Sequence, residues 1–390
     1  LYTLTSTLGL NNSNITQIQR NPALGLYGLG VLIAVIDTGV DYCHSAFRYH
    51  DGTSRIISIW DQSVQDGMPP QGFTFGTEYN DEAINAALAS QNPHALVNSI
   101  DTNGHGTAIA SIIAGTPDKG SSFSGVVPES QLVVVKLKQP KQNLRKVFCV
   151  QDDVVCYQQT DVILGLRYVF EVANKLSRPL VICLAIGSSL VGHEAFGATS
   201  TYIQYLSQRS HIAFSVSAGN EGNSKRHYYE SALSSTSKFE LRVSEEDPDF
   251  CFQIWPDLEA RLSIQITSPT GERTPVIFPT LSNCDYYNFI FGNEKTWVNN
   301  ILIEEENGSQ MILVRFNQAT KGIWTVNIEN VNKKPFTFNC WLPSGDMISN
   351  ETFFIASNPN TTIMDPGNTG PVLTVTAYDQ FSNSVMMTPS

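Results

Sequence analysis

Val31-Leu32-Ile33-Ala34-Val35-Ile36 is an unbroken apolar run that stops at Asp37-Thr38-Gly39. A short apolar run with no polar alternation, bounded by glycines, reads as a strand buried on both faces. Three more runs read the same way: Gln131 to Leu137, Pro179 to Ile186 and Ile212 to Ser217. Helical patterns lie between them. Gly106 to Gly115 holds Thr107-Ala108-Ile109-Ala110-Ser111-Ile112-Ile113-Ala114, with Gly115 as the stop. Asp161 to Leu176 places Val162, Ile163, Leu166, Val169, Phe170 and Ala173 at helical spacing, with Thr160 or Asp161 as N-cap. Thr199 to Gln208 is a weaker helical stretch. Core strands alternating with amphipathic helices predict an α/β fold, a doubly wound parallel sheet covered on both faces.

The texture changes near Lys225. From there to Asn368 short alternating segments replace the helical period: Lys238 to Val243, Arg261 to Ile266, Gln310 to Phe316 and Gly322 to Ile328. Turn formers such as Pro269-Thr270-Gly271 and Glu306-Asn307-Gly308 separate them, which predicts a β-sandwich or jelly roll. Pro371 to Ala377 then looks like a core strand again. The expected division is an α/β unit over 1–224, an inserted all-β domain over 225–368, and a return to the α/β unit over 369–390.

Composition narrows the function. The 390 residues are 42% hydrophobic and 15% charged, with a net charge of −12. A general affinity for nucleic acid or an anionic membrane needs a basic face, which this balance argues against. No apolar stretch is long enough for a transmembrane helix. Leu1-Tyr2-Thr3-Leu4 shows no signal-peptide pattern, and the missing initiator Met fits a processed product or a fragment. The seven cysteines form no CxxC pair. Cys183, inside the run Leu180 to Ile186, reads as a buried small hydrophobe, and a reducing compartment is favoured. No His, Cys, Asp or Glu spacing matches a zinc or EF-hand site. His193, His227 and Glu304-Glu305-Glu306 read as a loop histidine, a domain-junction histidine and a solvated turn.

Three residues could carry chemistry. Asp37 ends a buried strand, where open α/β sheets gather ligands; it could orient a histidine or merely cap a turn. His105 lies in Asn103-Gly104-His105-Gly106-Thr107 at a predicted helix start, and its glycines allow a close neighbour. It could serve as a base or only make a local helix-start contact. Asn220, in Ser217-Ala218-Gly219-Asn220-Glu221-Gly222, could donate to a developing oxyanion or simply sit in a turn.

Taken together, Val35-Ile36-Asp37-Thr38-Gly39-Val40, Asn103-Gly104-His105-Gly106-Thr107 with Ile109-Ala110, and Ser217 to Gly222 resemble the subtilisin-like serine peptidases, the subtilases. Gly125-Val126-Val127-Pro128 and Leu184-Ala185-Ile186-Gly187 add to the resemblance, which covers about residues 20–225 and 370–380. It implies that Asp37 orients His105, that His105 relays the proton of a serine nucleophile, and that Asn220 completes an oxyanion hole. It further implies that Ala185, Ile186 and Gly187 pair with an extended protein or peptide substrate, although Ala185-Ile186 departs from the usual Ser-Leu. A pro-segment ahead of residue 1 and bound calcium are both compatible with the family, and neither is assigned residues; no other cofactor is expected.

Asp51-Gly52-Thr53-Ser54-Arg55-Ile56-Ile57-Ser58-Ile59-Trp60-Asp61-Gln62 and Gly76-Thr77-Glu78-Tyr79 narrow the resemblance to the Csp germination proteases of anaerobic spore-formers. The β insertion fits the same group. That family implies cleavage of a cortex-hydrolase zymogen, with some members catalytically dead, and favours a bacterial cytoplasm or spore over secretion. The family's nucleophile motif, Gly-Thr-Ser-x-Ala-x-Pro, does not follow Asn220. Gly52-Thr53-Ser54 precedes His105 and opens no helix, and Gly197-Ala198-Thr199-Ser200 lacks the motif. The expectation is therefore a chain that stops before its nucleophile and does not hydrolyse peptides by the triad as it stands. The alternative is a pseudoprotease acting as a binding or signalling module.

Overall fold

The computed structural model describes residues 10, 12–118, 120, 123–304, 308–379 and 384–385. The stretch Leu1 to Leu4, the acidic residues Glu305 and Glu306, and most of Val385 to Ser390 lie outside the described residues.

The strands of the first unit are β1 (Leu32–Asp37), β2 (Ile56–Asp61), β3 (Thr77–Asn80), β4 (Gln131–Lys136), β5 (Leu180–Leu184) and β6 (Ile212–Ser217). Its helices are α1 (Ile15–Gln19), α2 (Asp81–Leu88), α3 (His105–Ala114), α4 (Gln142–Val147), α5 (Gln159–Leu176) and α6 (Ala198–Ser207). The insert supplies β7 (His227–Ala232), β8 (Thr236–Val243), β9 (Phe250–Pro256), β10 (Leu262–Thr267), β11 (Asp285–Asn288), β12 (Lys295–Ile301), β13 (Met311–Asn317), β14 (Gly322–Asn330), β15 (Phe336–Trp341) and β16 (Phe353–Phe354). The chain then returns as β17 (Leu373–Val375).

One sheet runs β17-β6-β5-β1-β4-β2-β3. Every pairing is parallel except that of β3 at its edge. Successive side chains of a strand point to opposite faces, and the core divides accordingly. Ile33, Val35, Leu132 and Val134 pack with Ala110 and Ala114 of α3. Leu32, Ala34, Ile36, Val133 and Val135 pack with Val162, Leu166 and Val169 of α5. A helix on each face is the reason these strands are apolar throughout.

The fully buried Arg55 anchors α3 from below. Its guanidinium donates to the carbonyl oxygens of Ala46 (2.7 Å), Ser130 (2.9 Å) and Ala114, the last residue of that helix. A cation at a helix C-terminus is favoured by the axial dipole.

Residues of the insert form two antiparallel sheets, β10-β14-β8-β16 and β11-β12-β13-β9-β15-β7. They share one core, in which Phe239 and Leu241 of β8 meet Phe252 and Ile254 of β9 and Phe316 of β13. This is the expected α/β fold with an inserted β domain.

Three sequence readings need correction. Helix α5 begins at Gln159, so Thr160 and Asp161 lie inside its first turn, and the N-cap position is held by Gln158 without a side-chain cap. Asp161 is buried and pairs with Lys138 instead. The stretch Pro371 to Ala377 yields only the three-residue β17, an edge strand whose Leu373 and Val375 are exposed, because its partner β6 lies on one side only. Cys183 is half-buried rather than buried.

Candidate active site

The carboxyl ends of β1, β5 and β6 open on one edge of the parallel sheet. There β1 sits between β4, reached through the β2–β3 excursion, and β5. Such a reversal in strand order leaves a crevice where functional groups collect.

Asp37 closes β1 with its side chain 2% exposed. Its Oδ1 lies 2.7 Å from Nδ1 of His105 and accepts the Thr38 N–H at 2.7 Å. His105 is the first residue of α3, and its ring is 45% exposed. The hydrogen bond to Asp37 raises the His105 pKa above its ordinary value. The charges of Asp37 and Asp101 add to this, and partial burial opposes it.

Threonines and an aspartate that sequence reasoning missed hold this pair. Thr38 Oγ1 accepts the Gly106 N–H (2.9 Å), and Thr107 Oγ1 accepts the Asp41 N–H (2.9 Å). Asp101 takes the Thr107 hydroxyl (2.6 Å) and the N–H groups of Thr107 (3.0 Å) and Gly104 (2.9 Å). Burial alone would raise the Asp101 pKa, but these hydrogen bonds hold it below its ordinary value. An Asp three residues before the helix-opening Gly-His was the available signal, since acidic residues favour helix starts.

Asn220 lies three residues past β6. With Asn103, two residues before His105, it lines an open cleft of about 1050 Å³ that runs to the insert residues Glu246, Asp247 and Asp346. Arg226 also lines the cleft, its guanidinium bound to Glu221, Gly345 O, Ile348 O and Asn350.

Ala185, Ile186 and Gly187 follow β5 and are half-buried. The far end of this segment is paired within the chain: Ser188 and Asp365 exchange backbone hydrogen bonds at 2.9 and 3.0 Å. Met364 donates its N–H to Ala218 O (2.9 Å), and a Cβ on Gly187 would stand 2.9 Å from the Met364 Cβ. Met364 thus bridges the 185–187 segment and the loop that carries Asn220.

The serines singled out in the sequence are engaged elsewhere. Ser54 Oγ accepts the Ile56 N–H, and Ser200 is buried against Asp365 and Thr369. Cys183 is paired with Val35 of β1, and burial, with the Asp37 charge, lifts its thiol pKa to about 11. Such a thiol is a poor nucleophile near neutrality.

The insert grips the same segment. Ser189 Oγ donates to Leu342 O (2.8 Å), and the His193 ring stacks on Trp341 with centroids 3.9 Å apart. His227, the first residue of β7, stacks on Trp341 as well. Burial lowers the His193 pKa from 6.5 to about 4. Between those values the unfolded chain binds a proton that folded His193 refuses, so stability falls as pH drops through this window. We expect a loss on the order of 2 kcal/mol between pH 7 and 4.5. Urea melts of the wild type and His193→Phe at both pH values check this, since the variant should lose that share of the pH dependence.

The fold, the facing of Asp37 on His105 and the strand-end loops define a subtilase unit, and comparison agrees. Residues 28–247, more than half of the chain, match the Subtilase family, Peptidase_S8. The chain belongs to this family. It is 29% identical over 149 residues to subtilisin-like protease SBT1.9 of Arabidopsis thaliana, matching 33% of this chain and 18% of that protein. It is 31% identical over 144 residues to subtilisin-like protease SBT3 of Solanum lycopersicum, matching 30% of this chain and again 18% of the relative. The match therefore spans less than a fifth of either relative's length. The fold is that of the Clostridium perfringens CspB protease, with a TM-score of 0.81 at 24% identity over 96% of this chain and 73% of that one. Among the described residues no helix is long and apolar enough to cross a membrane.

Proposed function

We propose that the full-length protein is a serine endopeptidase in which Asp37 orients His105 and Asn220 donates to the oxyanion. The observation that carries this reading is the 2.7 Å contact between His105 Nδ1 and a buried carboxylate. It fixes the proton on Nδ1 and leaves Nε2 as the lone-pair nitrogen on the exposed side of the ring. A serine hydroxyl placed there would lose its proton to Nε2 as Oγ attacks the scissile carbonyl. Asp37 then faces the imidazolium, which its charge stabilises. His105 returns the proton to the leaving amine. The Asn220 amide contributes about 2.7–4 kcal/mol to the tetrahedral oxyanion if it acts as such donors do elsewhere.

An extended peptide laid along Ala185 to Gly187 is the substrate this reading calls for. The catalytic unit is taken as residues 1–224 with 369–390, and the insert as 225–368, a jelly roll. The Csp-like stretch Asp51 to Gln62 supports a cortex-hydrolase zymogen in spore germination as the target.

No serine hydroxyl among the described residues hydrogen-bonds His105. An endopeptidase whose serine lies outside the described residues and a pseudoprotease would both have this arrangement. A serine-directed fluorophosphonate separates the two. The folded full-length protein should be labelled, and His105→Ala should lose the label. A folded full-length protein that takes no label would overturn the endopeptidase reading in favour of a binding module.

A further inference from the structure

The insert reaches the loop that carries Asn220. That loop leaves β6 at Ser217 and enters β7 at His227. Its first anchor is Ala218, whose N–H goes to Val375 O and whose oxygen accepts the Met364 N–H, both at 2.9 Å. Gly219 then turns through a left-handed φ of 104°, and Asn220 is exposed. Among the described residues none hydrogen-bonds the Asn220 side chain. Its backbone oxygen accepts the Ser224 hydroxyl at 3.3 Å.

The second anchor is the next residue, Glu221, which is buried. Glu221 Oε1 accepts the Gly345 N–H (3.0 Å), and Oε2 lies 3.2 Å from Arg226 Nη1. The side chains of this pair, Arg226 and Glu221, are only 6% and 8% exposed. Arg226 donates onward to Gly345 O (2.8 Å), Ile348 O (2.9 Å) and Asn350 Oδ1 (2.9 Å). Gly345, at φ 60°, thus offers its N–H to the carboxylate and its oxygen to the guanidinium. The insert side is fixed in turn, since Asp247 accepts the Ser349 N–H (3.0 Å) and the Thr352 hydroxyl (2.5 Å).

An Arg fork spanning several acceptors holds them in one geometry, which a flexible cation would not. The two units are already joined by the Ser189–Leu342 hydrogen bond and by the stacked rings of His193 and Trp341. Adhesion alone therefore does not call for a buried ion pair beside Asn220, where desolvation makes such a pair costly.

We propose that Arg226 and Glu221 are positioning residues through which the insert turn 345–350 holds Asn220 in place for the developing oxyanion. The inference rests on the assignment of Asn220 as the oxyanion donor. Such a donor acts by being preorganised, so a loop free to shift loses rate and not ground-state binding.

Full-length Arg226→Met should lower kcat by about 10²-fold with KM little changed, the loss that a displacement of about 1 Å brings. A double-mutant cycle is the decisive readout. In an Asn220→Ala background the same substitution should cost less than about threefold, because the donor it positions is gone. A merely structural Arg226 would cost the same in both backgrounds, and that outcome overturns the proposal. Should Arg226→Met fail to fold, the double variant Glu221→Gln/Arg226→Met, which leaves no buried charge, takes its place. The 390-residue chain gives a second reading that needs no turnover. There the substitution should shift the Asn220 side-chain amide resonances and speed backbone amide exchange over 219–222 by at least about tenfold, with β1 and β4 unchanged. Unmoved resonances and exchange in the folded variant overturn the proposal. A full-length wild type that takes no fluorophosphonate label overturns the endopeptidase reading instead, and the 390-residue measurement still decides whether the pair holds Asn220.

Discussion

Asp37→Asn is expected to lower kcat of the full-length protein by about 10⁴-fold, the loss this exchange causes in trypsin-like proteases, with little change in KM. The side chain barely changes in shape. Oδ1 serves both the Thr38 N–H and His105 Nδ1, so the asparagine keeps these bonds only with its oxygen in that place. The amide Nδ2, however, is a donor and cannot accept from His105. If Nδ2 turns toward Nδ1, the ring proton moves to Nε2, and the nitrogen that must accept the serine proton is already occupied. The charge that raised the His105 pKa also disappears.

The 390-residue chain allows this second effect to be read without turnover. The His105 NMR titration midpoint should fall in the variant. The stability linkage changes in a defined direction. Because the folded His105 pKa is raised, the pairing contributes fully below about pH 6.5 and fades as pH rises through the folded value. The variant should therefore lose most stability on the acid side of that window. A kcat within tenfold of wild type would return Asp37 to the role of a turn cap.

How much of this was legible depends on how local each signal was. Asp37 and His105 announce themselves because a glycine lies within two residues of each at the edge of an apolar run, and the strand end and helix start are both written in neighbouring residues. The α/β alternation was legible for the same reason: burial on both faces leaves no polar position from Leu32 to Ile36 of β1 or from Leu132 to Val135 of β4. In the insert, the strands read from alternation were those with one wet face. β9 escaped notice because it is buried at all seven positions, between its sheet neighbours, the opposing sheet and the α/β unit. β15 escaped because its outward Trp341 is covered by His193 and so does not read as a solvent face. The bridge of Met364 and Asp365 to the Gly187–Ser188 segment joins positions more than 170 residues apart, and no pattern in either stretch points to the other. Glu221 is a limiting case: in sequence a turn glutamate is solvated by default, and only the folded chain shows it buried against Arg226 and Gly345.

Gly106→Ala should break the same pair from the opposite side. The N-terminal turn of α3 butts against the turn leaving β1 so closely that a Cβ at position 106 would lie 2.1 Å from Gly39 O and 3.1 Å from the Asp37 Cβ. The oxygen is backbone and cannot swing aside as a side-chain tip can. Either β1 or α3 must therefore give way by about 1 Å to restore contact distance. Retreat of the helix stretches the Gly106 N–H bond to Thr38 Oγ1 and carries His105 away from Asp37. Helix α3 is also tied at its other end by Arg55, so the strain cannot be shed by sliding it along the sheet. Overpacking of this kind costs about 1–3 kcal/mol in stability. In the full-length protein a 1 Å displacement of the base is worth about 10²-fold in rate. In the 390-residue chain the variant should melt several degrees lower, with its His105 titration midpoint shifted toward the ordinary value. Gly104→Ala is the control: it stresses a left-handed φ of 89° but meets no atom within 4 Å. It should cost stability without moving the His105 midpoint as far. Equal midpoints in Gly106→Ala and wild type would mean that the helix start does not set the His105–Asp37 distance.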